Sequence, residues 1–137
     1  MVVQSGKDLC LITATGKINW KRNLRSDIAS DIYEVDAYNN GKYQILFNTP
    51  NEIQLIDRNG RDVQGYPVKL PSKATNSLCL FDYGSRNDYR LFIACADHKI
   101  YNYSIWGVGQ EGFKPPMVNS DVILPIRYCK VGPSDYL

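Results

Sequence analysis

The feature that most constrains this chain is that it repeats itself. Residues 35–47 lie over residues 81–93, pairing Asp36 with Asp82, Tyr43 with Tyr89 and Ile45 with Leu91 at a shift of 46. One inserted residue later the match runs on at a shift of 47, through Ile53/Ile100, Gly60/Gly107, Gly65/Gly112 and Tyr66/Phe113. Incomplete copies flank this pair. Residues 8–17 lie over 52–61 at a shift of 44, and residues 128–136 lie over 81–89, matching Asp135-Tyr136 to Asp88-Tyr89. A sequence of this kind builds from small tandem units, each of which buries its apolar face only against its neighbours.

Within a unit the pattern reads as four strands. In the clearest copy they are 32–37, 43–48, 52–58 and 63–70; the next has 77–83, 89–96, 99–105 and 110–114. Apolar and polar residues alternate in Tyr43-Gln44-Ile45 and Ile53-Gln54-Leu55, the period of a strand. The connectors carry turn chemistry: Asn39-Asn40-Gly41-Lys42, Thr49-Pro50-Asn51 and Arg58-Asn59-Gly60-Arg61. Asn59-Gly60 is expected at a two-residue hairpin turn, which needs positive φ. No stretch holds a helical period. Tandem four-stranded meanders predict an all-β fold of β-propeller blades, about three in an incomplete ring. The divisions are 1–24 (end of a blade), 32–70 and 77–114 (full blades), and 122–137 (start of the next). The sequence opens in the second strand of a unit, at Val2-Val3, and stops as another second strand begins, at Tyr136-Leu137. That phase suits a piece of a larger propeller, or two copies closing head to tail into a six-bladed ring.

Composition narrows the function. Of 137 residues 44% are hydrophobic and 22% charged, the balance of a globular chain. The net charge is +2 and spread along the sequence, which leaves no basic stripe for nucleic acid. No apolar run is long enough to enter a bilayer as a helix. The ten tyrosines, two tryptophans and four phenylalanines favour pleated sheet. Cys10, Cys79, Cys95 and Cys129 are scattered among strand residues without a CxxC pair, so buried free thiols are expected rather than zinc ligands, with a disulfide left open by the even count in an oxidising compartment.

Residues 9–21, with Thr15-Gly16-Lys17 at the turn and Trp20 in the strand after it, resemble the quinoprotein-like (PQQ-like) propeller repeat. The middle copy, through Asn59-Gly60 and Gly65-Tyr66-Pro67, is similar but divergent; the third departs further, with Trp106-Gly107 in the turn. The resemblance implies blade geometry, a scaffold role and a periplasmic or secreted location, and it names no cofactor for these residues. Asp36-Ala37-Tyr38-Asn39-Asn40-Gly41 resembles the calcium loop of FG-GAP-type repeats. Tyr38 and Lys42 stand where oxygen donors would be needed, and Arg86 sits inside the second copy. A polar turn capped by Asp36 is expected there instead, and no metal.

The remaining motifs carry no catalytic set. His98, the sole histidine, follows Asp97 on a hairpin turn, where neighbouring side chains diverge. Gly107-Val108-Gly109-Gln110-Glu111-Gly112 spells G-x-G-x-x-G, but Phe113-Lys114-Pro115-Pro116 cannot open the helix a dinucleotide site requires. Trp20, Trp106 and Tyr101 form the candidate binding surface, set against the expectation that large aromatics wedge adjacent blades together. Tyr101 and Tyr103 alternate with polar residues, which puts one tyrosine face between blades. The expected function is therefore a non-catalytic scaffold that binds a protein or glycan. The alternative is a set of structural blades in a quinoprotein-type enzyme.

Overall fold

The computed structural model describes residues 1–82, 88–127, 129–131 and 134–136, the last two segments as backbone alone. Among these residues there is no helix, and every sheet is an antiparallel meander in chain order. The first sheet is β1 (Val2–Ser5), β2 (Asp8–Ile12) and β3 (Ile18–Asn23). The second is β4 (Tyr33–Val35), β5 (Gln44–Asn48), β6 (Glu52–Ile56) and β7 (Val68–Lys69). The third is β8 (Cys79–Asp82), β9 (Tyr89–Ala94) and β10 (Ile100–Ser104), and a hairpin of β11 (Cys129–Val131) and β12 (Ser134–Tyr136) follows.

The repeat governs pairing as well as sequence. Tyr33 pairs with Leu46 and Val35 with Gln44; 46 residues on, Cys79 pairs with Phe92 and Phe81 with Arg90. Asp82 pairs with Tyr89, and 47 residues on, Cys129 pairs with Tyr136. The turn bonds recur too. Asp57 N–H donates to Arg61 O and Gly60 N–H to Asp57 O; Ser104 to Val108 and Gly107 to Ser104 repeat them, as Thr13 to Lys17 and Gly16 to Thr13 anticipate them.

Two expectations need correction. The strand expected at 110–114 is absent. Gln110 N–H still donates to Asn102 O, but Gly112 turns the chain at positive φ and Phe113 N–H folds back to Gln110 O. Pro115 and Pro116 then offer no N–H, so pairing there is reduced to Ile100 N–H donating to Pro116 O and an isolated bridge of Lys99 with Met117. The second sheet has the same kink at Gly65, and its last strand shrinks from 63–70 to β7. Asn59-Gly60 is likewise not a two-residue turn. Only Gly60 takes positive φ, and the loop closes between Asp57 and Arg61, a longer hairpin loop ending in a left-handed glycine.

The second sheet is the middle of the molecule. All of β5 is buried, and its side chains alternate between two cores. Ile45 and Phe47, with Ile56 of β6, face the first sheet and pack with Leu9 and Leu24. Leu46, Ile53 and Leu55 face the third sheet and pack with Leu78, Leu91, Ile93, Tyr103 and Ile105. The parities agree across the repeat: Leu91 and Ile93, which stand 46 residues after Ile45 and Phe47, likewise turn back toward the preceding sheet.

One clasp recurs at both joints. The Trp20 indole N–H donates to Arg58 O at 2.8 Å, and the Tyr66 hydroxyl donates to Ile105 O at 2.8 Å. Tyr66 follows Trp20 by 46 residues and Ile105 follows Arg58 by 47, so the contact is one interaction repeated. Each aromatic also leans on the turn glycine of the next sheet. A Cβ on Gly60 would lie 2.9 Å from Trp20 Cδ2, and one on Gly107 would lie 2.4 Å from Val68 Cγ2 and 3.7 Å from Tyr66 Cε2. Both glycines also hold positive φ, at 79° and 74°, where an L side chain is strained.

Candidate functional site

The two ends of the sheets differ in kind. At one end the connectors between sheets gather. Ala29, Asn76 and Ile123, spaced by 47 residues, line one depression together with Ala74, Thr75 and Ser77. Side chains tie these connectors across units: Ser77 Oγ donates to Ala29 O at 3.1 Å, Thr75 Oγ1 to Val122 O at 2.8 Å, and Asn76 Nδ2 to Leu124 O at 3.1 Å. Asn48 Oδ1 accepts Leu78 N–H at 2.9 Å, and the Tyr33 hydroxyl donates to Leu78 O at 3.0 Å. These polar groups are spent on structure.

The opposite end of the second sheet carries its β4–β5 and β6–β7 loops, and here large side chains stand out in solvent. Tyr38 is 50% and Tyr43 57% exposed. The Trp106 ring meets Tyr38 edge-on, with centroids 5.2 Å apart. Tyr38, Asn40, Lys42, Tyr43, Gln44, Asp57, Arg58 and Asn59 line an open recess of about 260 Å³. Asp36 fixes the loop that carries the tyrosines: its carboxylate accepts Asn40 N–H at 3.0 Å and Gly41 N–H at 2.7 Å. This is the aspartate-capped turn expected from the sequence. Asp57 does the same next door, accepting Asn59 N–H at 2.8 Å and Arg61 N–H at 3.0 Å.

The three residues expected to form a binding surface do not meet. Trp20 is half-buried and serves as the first clasp. Tyr101 donates its hydroxyl to Asp97, stacks on Tyr103 and packs against the core between the second and third sheets. Burial, then the bond to Asp97, pushes its phenol well above the ordinary tyrosine range. Trp106 alone reaches the exposed end. Tyr38 and Tyr43 were not singled out as binding residues in the sequence, although two aromatics flanking a polar Asn-Asn-Gly turn are a readable sign.

Other candidates take structural places. His98 sits in the β9–β10 turn at φ 61° and faces Asp121 at 3.7 Å, while Asp97 accepts the Tyr101 hydroxyl. Cys79 and Cys95 are buried free thiols and Cys10 is a half-buried one; burial pushes the Cys95 thiol up to about 11, which keeps it protonated. The Cys129 side chain lies outside the described residues. Among the described residues no His, Cys, Asp and Glu side chains gather as a metal-ion set, and no helix is long and apolar enough to cross a membrane. No protein-family model matches the chain, and no curated protein matches it.

Proposed function

We propose that the three sheets and the closing hairpin are successive blades of a β-propeller, and that the chain works as a non-catalytic scaffold whose turns bind a protein or glycan. The observation that carries this reading is the repeated clasp, Trp20 to Arg58 O and Tyr66 to Ile105 O. If each sheet meets the next through equivalent atoms, each is placed on the next by one rotation, and repeated rotation fans sheets around an axis. The shared depression of Ala29, Asn76 and Ile123 supports an axis on the connector side. A ring then closes through further blades, or through a second copy joined head to tail.

The scaffold function is tested by probing glycan and peptide arrays with the purified chain, then mapping hits by hydrogen–deuterium exchange. Protection confined to the turns of one end is expected, with the ligand recovered chemically unchanged. Conversion of the ligand to a new product would contradict a non-catalytic role.

A further inference from the structure

Resting on the scaffold reading, we propose that the recess between Tyr38 and Tyr43 is a saccharide site built for an acidic sugar residue of an oligosaccharide. Its geometry, its donors and its rigidity point the same way. At about 260 Å³ it lies just under the roughly 300–1,000 Å³ of pockets that enclose drug-sized ligands, and it holds one ring of a larger molecule. The two exposed tyrosines present apolar ring faces, against which the C–H face of a pyranose packs while its hydroxyls stay wet.

The hydrogen-bonding inventory selects the charge. Lys42 and Arg58 line the recess, both exposed, and neither is in an ion pair among the described residues. Asn40 Oδ1 accepts Lys42 N–H at 2.9 Å, which leaves its carboxamide N–H groups for the rim. Several acceptors are held by the loops themselves. Both Asp36 oxygens and Asp57 Oδ1 hold backbone N–H groups, and Gln44 is spent beneath, accepting Ala37 N–H at 2.9 Å and donating to Lys42 O. A rim whose two cations, Lys42 and Arg58, outnumber its one lining carboxylate, Asp57, suits an anionic ligand such as a uronate, whose carboxylate takes charge-assisted bonds from lysine and arginine. The turn is already fixed by Asp36, so little loop entropy is lost on binding. A peptide adding to a sheet would need a strand edge, and this recess lies among turns.

The test is calorimetric titration of the full chain with hexagalacturonate, with maltohexaose as the uncharged comparison and the tryptophan emission of a Trp20→Phe variant, which reports Trp106, followed in parallel. Hexagalacturonate is expected to bind, to weaken as salt rises, and to exceed maltohexaose by about tenfold or more. Tyr43→Ala is expected to lower that affinity about tenfold and Tyr43→Phe to retain it, since the ring face does the packing. Arg58→Gln should erase the preference for the charged sugar. Circular dichroism checks that each variant keeps its sheets. Three results would overturn the proposal: no heat with hexagalacturonate, affinity indifferent to Tyr43→Ala and Arg58→Gln, or equal binding of hexaglutamate. None of these touches the scaffold reading, which the exchange footprint and sheet orientations decide separately.

Discussion

At the joint between the first and second sheets, the clasp is a half-buried indole and the rim is charged. Arg22 donates to Gly60 O at 3.1 Å and to Asp62 Oδ1 at 2.7 Å, beside a polar groove that also reaches Arg25, Thr49 and Glu52. At the joint between the second and third sheets, the clasp is a buried phenol. Val68 stands 46 residues after Arg22, and it packs on Gly107 where Arg22 reached for Gly60. The core there is larger as well, running from Val35 to Ile105. The geometry of the joint is kept while its chemistry changes from ionic to apolar. What recurs at the two joints is an aromatic donor over a turn glycine.

The comparison breaks most easily at the shared sheet. Phe47 is fully buried in the first joint, so Phe47→Ala is expected to cost about 3–5 kcal/mol in denaturant unfolding. A loss below about 1 kcal/mol, within the range of a surface ion pair, would mean that the Arg22 network holds that joint instead. Next come the glycines. Gly107→Ala adds a methyl against Val68 as well as a strained φ and is expected to cost about 1–3 kcal/mol. Gly60→Ala should cost less, because the Trp20 ring it meets is half-buried and has room to tilt. A reversed order would show the first joint to be the tighter one.

Removing the second clasp sharpens the contrast. Tyr66→Phe strands the buried Ile105 carbonyl and is expected to cost about 1–2 kcal/mol. It should also alter the alkaline limb of stability. Burial holds the Tyr66 phenol well above the usual range, so the folded chain keeps it neutral after the unfolded chain has ionised. The stability this contributes is complete below about pH 10 and is lost as pH rises further. Tyr66→Phe should flatten that fall without abolishing it, because burial also raises Tyr33 and Tyr103. The smallest effect belongs to the ion pair. Arg22→Gln is expected to cost about 0–1 kcal/mol and to matter less as salt rises, since Arg22 and Asp62 are both partly exposed.

Much of the fold was legible because the repeat is carried by residues with strong local rules. Asp36 capping its turn, the left-handed glycines and the alternation through Ile45 and Phe47 follow from short-range chemistry. The last strand of each unit was not legible, because Val63 to Tyr66 and Gln110 to Phe113 look extended until Gly65 and Gly112 fold them back. Equivalence of Trp20 with Tyr66 was hidden by length: the turns match, but the stretch after the turn, from Lys17 to Trp20, is two residues shorter than that from Arg61 to Tyr66, so the shift moves from 44 to 46 within one hairpin. The candidate site was legible only in part. Trp106 was named, but exposure of Tyr38 and Tyr43 depends on where neighbouring sheets stop, which local pattern does not encode.

The central claim is that one rotation relates the first sheet to the second and the second to the third. Residual dipolar couplings, measured on the backbone amides of β1–β3, β4–β7 and β8–β10, give the orientation of each sheet directly. The two successive rotations are expected to agree in angle and to share one axis. Two unlike rotations, or sheets related by translation with little rotation, would contradict it.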